Sequence, residues 1–213
     1  MIKYFVRTTN ERQLHVSYYQ IDYELLVDKE HKPVESFISQ IKMLAKLNED
    51  IVILEDDLIL CRNFSTKIEE IIKLYKDKII TFFYQPKDYI HTGKLVRFIW
   101  HQCVYYPKQI VKQLAENIEQ IYEHSKLVHY DMLVFLTLKY TVEYYTYRPC
   151  LVQHLDFNTL IQDRTYRRNT PYFIDYLDDL NIPYENAKEY KQELIEYMNK
   201  HLEQVRKEMN IDG

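Results

Sequence analysis

Glycine is nearly absent: Gly93 and Gly213 are the only two in 213 residues. That excludes whole classes of phosphate site. A Walker loop needs several glycines so that backbone N–H groups can wrap phosphates, and a dinucleotide fingerprint needs them for close approach to a pyrophosphate. The glycine-rich first loop of sugar nucleotidyltransferases cannot be built either. Any phosphate must be held by metal or by basic side chains. Cysteine is sparse as well. Cys61, Cys103 and Cys150 are odd in number and form no Cys-x-x-Cys pair, which argues against structural zinc and for reduced thiols. No apolar run approaches the ~20 residues of a membrane span, and Met1–Thr9 is too short and interrupted for a signal peptide, so a cytoplasmic location is expected. The net charge of −4 is too mild for a protein that coats nucleic acid through its overall field, although a local basic patch stays open.

What is present is a chain able to build a core: hydrophobic residues make up 46% of it, and its length suits one domain with an appended tail. Richness in Lys, Ile, Tyr and Asn suggests an AT-rich genome, of a bacterium or its phage. The 21 tyrosines are spread along the chain without alternating Lys and Arg, so they do not read as a stacking platform for nucleic acid.

Strands and helices alternate. Ile2–Val6 reads as a strand, followed by the polar stretch Arg7–Arg12, and Tyr23–Val27 as a second, closed by Asp28. Phe37, Ile38, Ile41, Leu44 and Ala45 share one helical face. Ile51–Leu54 is a continuous apolar run with β-branched residues, the pattern of a strand buried on both faces of a parallel sheet. Ile68, Ile71, Ile72 and Tyr75 mark a helix, Ile79–Phe83 a buried strand, and Lys94–Tyr106 an extended stretch. Pro107 opens a helix with the stripe Ile110, Val111, Leu114, Ile118 and Ile121. Met132–Leu138 reads as a short helix and Thr141–Tyr147 as a strand. Tyr190, Leu194, Met198, Leu202 and Val205 stripe a last long helix. The alternation predicts an α/β sandwich with a mainly parallel central sheet and a helical C-terminal tail.

In such a sheet, ligands bind outside the carboxyl ends of the strands. Ile51–Leu54 delivers Glu55-Asp56-Asp57 to that edge. Three adjacent acids repel one another, and a hard divalent cation, Mg²⁺ or Mn²⁺, would relieve them while bridging two phosphates. A solvated acidic turn, or a helix N-cap at Asp57, would leave the same sequence.

The stretch Ile51–Leu60 with Asn63-Phe64 resembles the core motif of the family 25, lipopolysaccharide-type glycosyltransferases: an apolar strand running into Leu-Glu-Asp-Asp, then a Phe that opens a helix. Tyr105 with Pro107–Leu114, then His129–Leu133, then Tyr147–His154 resemble three later segments of that family in order. The likeness spans roughly residues 37–160. It implies a GT-A fold, with 1–165 as the catalytic domain and 166–213 as a helical extension packed on it. It implies a metal-dependent, inverting hexosyltransferase using a nucleotide sugar, UDP-linked by preference, and the acidic cluster as a DxD-type motif. The resemblance places Mn²⁺ or Mg²⁺ on Asp57, with Glu55 or Asp56 in support and His154 completing the shell. It makes Asp131 the base that takes the acceptor hydroxyl proton. Arg7 and Thr8, with Asp28, fall where such enzymes hold the base and ribose, and Arg164 and Arg167, with Arg168 and the interleaved Tyr166, where a loop would close over the diphosphate.

Each residue also has a plainer reading. Asp131 fits the first turn of a helix, where a carboxylate stabilises the dipole. A lone His154 fits an ordinary hydrogen-bonded core, and the arginines fit solvated charge. Trp100 and His101 can line an acceptor groove or simply pack. Asp178-Asp179 follows no buried strand and reads as surface. The acceptor is expected to be a glycan; a phage enzyme acting on hydroxymethylated bases in DNA is the alternative, working in the host cytoplasm. A catalytically inactive GT-A-like binding module is the alternative of another class. The C-terminal helices also leave a homodimer open.

Overall fold

The computed structural model describes residues 2–84, 101–127, 129–138, 142, 144–155 and 168–209, with the backbone alone at Leu14 and His15. In chain order the elements are β1 (Ile2–Thr9), a 3-10 turn (Asn10–Val16), β2 (Glu24–Asp28), α1 (Pro33–Ala45), β3 (Asp50–Glu55), β4 (Leu58–Leu60) and α2 (Phe64–Tyr75). Then come β5 (Ile79–Thr81), β6 (Cys103–Tyr106), α3 (Lys108–Ser125), α4 (Tyr130–Thr137), β7 (Tyr144–Thr146) and β8 (Val152–His154). The chain closes with α5 (Ile174–Asp179), a 3-10 turn (Tyr184–Asn186) and α6 (Lys191–Glu208).

Among the described residues six strands form one sheet in the order β2-β1-β3-β6-β5-β7. β2, β1 and β3 run parallel, and so do β5 and β7, while β6 runs against both its neighbours. The molecule is thus mixed α/β with a mostly parallel sheet. The reversal at β6 has no signature in the sequence, because a continuous apolar run carries no direction. β4 and β8 make a separate two-stranded ribbon.

Side chains alternate across a strand, and here the alternation sorts the core into two layers. Phe5, Ile51, Ile53, Val104 and Tyr106 face α1, α3 and α4. Tyr4, Val6, Val52, Leu54, Cys103 and Tyr105 face α2, α5 and α6. Both faces are covered, so Ile51–Leu54 had to be apolar throughout. The predicted stripes pack as expected in α1, α2, α3 and α6, except that Tyr190 precedes the last helix and is 40% exposed. Leu194, Met198 and Leu202 of α6 belong to the same core layer as Val52 and Leu54.

The scarcity of glycine leaves a trace in the backbone. Among the described residues five non-glycine residues adopt left-handed φ, and three of them are asparagines: Asn48, Asn63 and Asn181 at 56°, 55° and 54°. Asparagine tolerates that region better than most residues with a Cβ. Asn63 there initiates α2.

One feature of the topology places the site. From β1 the chain leaves to β2 on one side, then crosses by α1 to β3 on the other. The carboxyl ends of β1 and β3 therefore flank a switch point, where open α/β sheets bind ligands. Thr8 and Thr9 end one strand there, and Glu55-Asp56-Asp57 ends the other. No helix among the described residues is long and apolar enough to cross a membrane.

Candidate functional site

Strand parity divides the acidic triplet. Glu55 continues the Ile51, Ile53 face and Arg7 the Phe5 face, so the two meet in the layer under α1 and α4, in register across the β1–β3 ladder. Arg7 Nη1 lies 3.2 Å from Glu55 Oε1, Nε donates to Gln40 Oε1 at 2.9 Å, and Nη2 donates to the Pro33 carbonyl at 3.1 Å. The guanidinium also sits 4.1 Å from the Tyr130 ring centroid and 5.1 Å from that of Phe37. Tyr130 Oη donates to the same Glu55 oxygen at 2.6 Å, and His101 Nδ1 lies 3.8 Å from it. Burial alone would raise the Glu55 carboxyl, but Arg7, His101 and Tyr130 outweigh it and hold its pKa low. Arg7 is likewise kept charged against its burial, chiefly by Glu55. Arg7 and Glu55, expected on the donor side, are thus the core of an internal ion-pair knot.

Thr8 and Asp56 have the opposite parity and meet on the other face, with Thr8 Oγ1 donating to Asp56 Oδ2 at 2.8 Å. Arg12, on the 3-10 turn after β1, reaches both remaining acids. Its Nη2 lies 3.0 Å from Asp56 Oδ1 and 3.3 Å from Asp57 Oδ2. His154 Nε2 lies 3.3 Å from that Asp57 oxygen and Arg168 Nη2 3.8 Å from it. Register explains His154: β8 pairs with β4 so that His154 opposes Leu58, the residue after Asp57, and Leu155 N–H donates to the Asp57 carbonyl at 2.8 Å. The turn itself is clamped by two tyrosines. Tyr19 Oη donates to the Glu55 carbonyl at 2.8 Å and accepts the Leu58 N–H at 3.1 Å, and Tyr18 Oη donates to the Leu58 carbonyl at 2.6 Å.

The two acids titrate apart. Burial, and then the charge on Asp57, push the Asp56 carboxyl up to about 7, against Arg12 and the Thr8 hydroxyl. Asp57 is equally buried, but His154, Arg12 and Arg168 outweigh burial and pull it down to about 2. Asp57 is the fixed anion of the site. Its Oδ1 is buried and has no hydrogen-bond partner among the described residues.

A divalent ion fits this arrangement in one way. Among the described residues no group of three or more His, Cys, Asp or Glu is arranged to hold a metal. Mg²⁺ and Mn²⁺, however, favour one or two carboxylates completed by substrate phosphates and water over an all-protein cage. Asp57, with its spare buried oxygen, and His154 supply that much.

The remaining expected residues are more scattered. Asp131 opens α4 beside Tyr130, and its Oδ1 accepts the Met132 N–H at 2.7 Å. Asp28 Oδ1 accepts the Glu30 and Lys32 N–H groups at 3.2 and 3.3 Å, closing the loop into α1. Asp178 and Asp179 are exposed, and Asp179 pairs with Arg62 at 2.6 Å. Arg164, Tyr166, Arg167, Trp100 and the extended stretch before His101 lie outside the described residues. Arg12, Tyr18, Tyr19, Gln40 and Tyr130 carry site geometry that the sequence reading missed. Only the position of Arg12 just after a strand end hinted at it.

No family model matches the sequence, and no curated protein matches it. Among solved structures the chain is similar to A197 from STIV, at 9% identity and a TM-score of 0.46, covering 71% of this chain and 83% of that one. It is similar as well to a protein described as a glucose-1-phosphate thymidylyltransferase from Bacillus anthracis, solved in complex with a sucrose. There the identity is 10% and the TM-score 0.47, covering 72% of this chain and 89% of that one. Likenesses this distant assign neither a family nor an activity.

Proposed function

We propose that the protein is a GT-A-like, metal-dependent glycosyltransferase that binds a nucleotide sugar, UDP-linked by preference, at the carboxyl ends of β1 and β3. The observation that carries this reading is the contact between Asp57 and His154 at a topological switch point of the sheet. Two residues distant in sequence meet there, one of them a buried carboxylate whose second oxygen has no hydrogen-bond partner among the described residues.

In this reading Asp57 and His154 would hold Mn²⁺ or Mg²⁺, with Asp56 beside them, and the bound ion would supply charge stabilisation for a departing diphosphate. Arg12 and Arg168 offer guanidinium forks to phosphate oxygens, and Arg164 and Arg167 extend that set. Thr8 orients Asp56 through its hydroxyl. Arg7 and Glu55 brace the ends of β1 and β3 rather than touch the donor. Asp131 takes the acceptor hydroxyl proton, from a helix whose first turn is tied to Glu55 by Tyr130. The acceptor is a glycan in this reading, and 166–213 serves as an extension of the 1–165 catalytic unit.

The test is a thermal-shift panel of nucleotide sugars with and without Mn²⁺, followed by UDP release. A UDP-dependent shift that needs Mn²⁺ and vanishes in Asp57→Asn is expected. Absence of both shift and release would sink the enzyme reading.

A second reading has one observation in its favour. Arg12 already bridges Asp56 and Asp57, so the acids are neutralised within the protein. A binding module without catalysis would look the same, and it would give a nucleotide shift indifferent to Mn²⁺.

A further inference from the structure

We propose that Arg12 is an exchangeable counter-ion: in the ligand-free protein it neutralises Asp56 and Asp57, and it turns to the diphosphate of a nucleotide when a divalent ion takes its place on the carboxylates. The inference rests on the reading of Asp57 as a metal ligand and adds a role for a residue outside that ligand set.

The argument begins with charge. Two carboxylates, Asp56 and Asp57, face two guanidiniums, Arg12 and Arg168, with His154 beside Asp57, all largely withdrawn from water. The acids are thus matched by basic groups of the protein as they stand. A divalent ion entering alone would add two positive charges beside two guanidiniums in a poorly solvated place, which is unfavourable. A diphosphate entering alone would meet the carboxylates. Together the two restore the balance, provided the guanidinium that now binds the acids moves to the phosphates.

Geometry selects Arg12 for that move over Arg168. Arg12 uses one nitrogen for both carboxylates, at 3.0 and 3.3 Å, whereas Arg168 stands 3.8 Å from Asp57. Arg12 is therefore the group that competes most directly with an ion. It is carried on a 3-10 turn rather than on a strand, and its side chain keeps 16% exposure although Nε and Nη2 are themselves buried. Arg7 offers the contrast: it lies in the opposite layer of the sheet, 6% exposed, against Glu55, Gln40 and the Tyr130 and Phe37 rings. A guanidinium suits both ends of the exchange, since its fork matches carboxylate and phosphate alike.

The consequence is a coupling that passes through one side chain. In the wild type, Mn²⁺ must displace Arg12 and binds weakly alone; with UDP present, Arg12 has somewhere to go. Removing Arg12 should strengthen Mn²⁺ binding in the absence of nucleotide and shrink the benefit that UDP confers.

The experiment is calorimetric titration of Mn²⁺ into wild type, Arg12→Gln and Arg12→Lys, each with and without UDP, alongside melting temperatures in EDTA and in Mn²⁺. In the wild type, UDP should tighten Mn²⁺ about tenfold or more, within the usual range of such couplings. Arg12→Gln should bind Mn²⁺ about tenfold more tightly than wild type without UDP and gain less from UDP. It should melt lower in EDTA and recover more on adding Mn²⁺. Arg12→Lys keeps the charge and should fall between the two. Should Arg12→Gln fail to fold in EDTA, refolding on Mn²⁺ but not on an equal concentration of K⁺ supports the exchange, and failure to refold on Mn²⁺ overturns it. Mn²⁺ affinity in Arg12→Gln no greater than in wild type overturns the Arg12 inference alone, provided wild type with UDP binds Mn²⁺. If no variant binds Mn²⁺ under any condition, the metal-site reading falls and this inference falls with it.

Discussion

His154 Nε2 stands 3.3 Å from Asp57 Oδ2, and the pairing of β8 with β4 sets that distance by placing His154 opposite Leu58. The contact joins the end of a long buried strand to a short ribbon that belongs to no part of the main sheet.

The first prediction follows from that contact. His154→Gln keeps a polar side chain of similar reach but removes the imidazole. Mn²⁺-dependent UDP binding should weaken by roughly tenfold or more, the scale on which metal sites respond to changes in their surroundings. UDP binding in EDTA should be unchanged. Equal losses with and without Mn²⁺ would make His154 a packing residue.

The Arg7–Glu55 pair leads to a prediction about stability. Breaking a buried pair leaves an uncompensated charge and typically costs about 3–5 kcal/mol, whereas replacing both members with apolar groups costs far less. Arg7→Met and Glu55→Leu should each lower the unfolding free energy in urea on that scale. Arg7→Met/Glu55→Leu should lose clearly less than the sum. Additive losses would show that the two residues act separately, with Glu55 free to serve a ligand.

These two cases mark how far the sequence could be read. Ile51–Leu54 was legible as a strand buried on both faces, because covering both faces demands an unbroken apolar run. The stripes of α1, α2 and α3 were legible because one buried face imposes helical spacing. Within the triplet, parity could have warned that Glu55 and Asp56 face opposite sides, since the alternation that sorts Ile53 from Leu54 continues into them. What was not legible depends on contacts between distant segments. β4 and β8 are three residues each, too short for any periodic signal. The clamp by Tyr18 and Tyr19, and the bridge by Arg12, exist only because β1 and β3 end side by side.

The third prediction concerns acid. His201 of α6 packs edge-on against Tyr176 with ring centroids 5.3 Å apart. Burial lowers its pKa, more than Asp179, Asp175 and Glu208 raise it. The folded protein therefore binds fewer protons here than the unfolded chain, whose histidines titrate near about 6.5. Stability is unaffected well above that value and falls as pH drops through it, until the folded group also protonates. His201→Phe keeps the ring and removes the charge. Its melting temperature should fall less than that of wild type between about pH 7.5 and pH 5.5. An identical fall would place the acid sensitivity elsewhere.

Asp131 carries the last prediction, and two of its neighbours decide how it must be tested. Its Oδ1 accepts the Met132 N–H at 2.7 Å, as a carboxylate in the first turn of a helix would for structural reasons alone. Tyr130, the residue before it, ties that turn to Glu55. A structural Asp131 and a catalytic one therefore predict different losses. Asp131→Asn keeps the size and an acceptor oxygen, so a structural role predicts a small loss of stability and unchanged turnover. A base role predicts an unchanged Mn²⁺-dependent shift with UDP and a fall in transfer of about 10²–10⁴-fold, the usual contribution of general base catalysis. The readout is UDP release against a panel of glycan acceptors, with urea unfolding as the control. Tyr130→Phe adds a second line. It leaves the carboxylate in place but cuts its helix loose from Glu55, so transfer should fall while the donor-induced shift persists. Full transfer in Asp131→Asn would move the base to another residue, whatever Tyr130→Phe does.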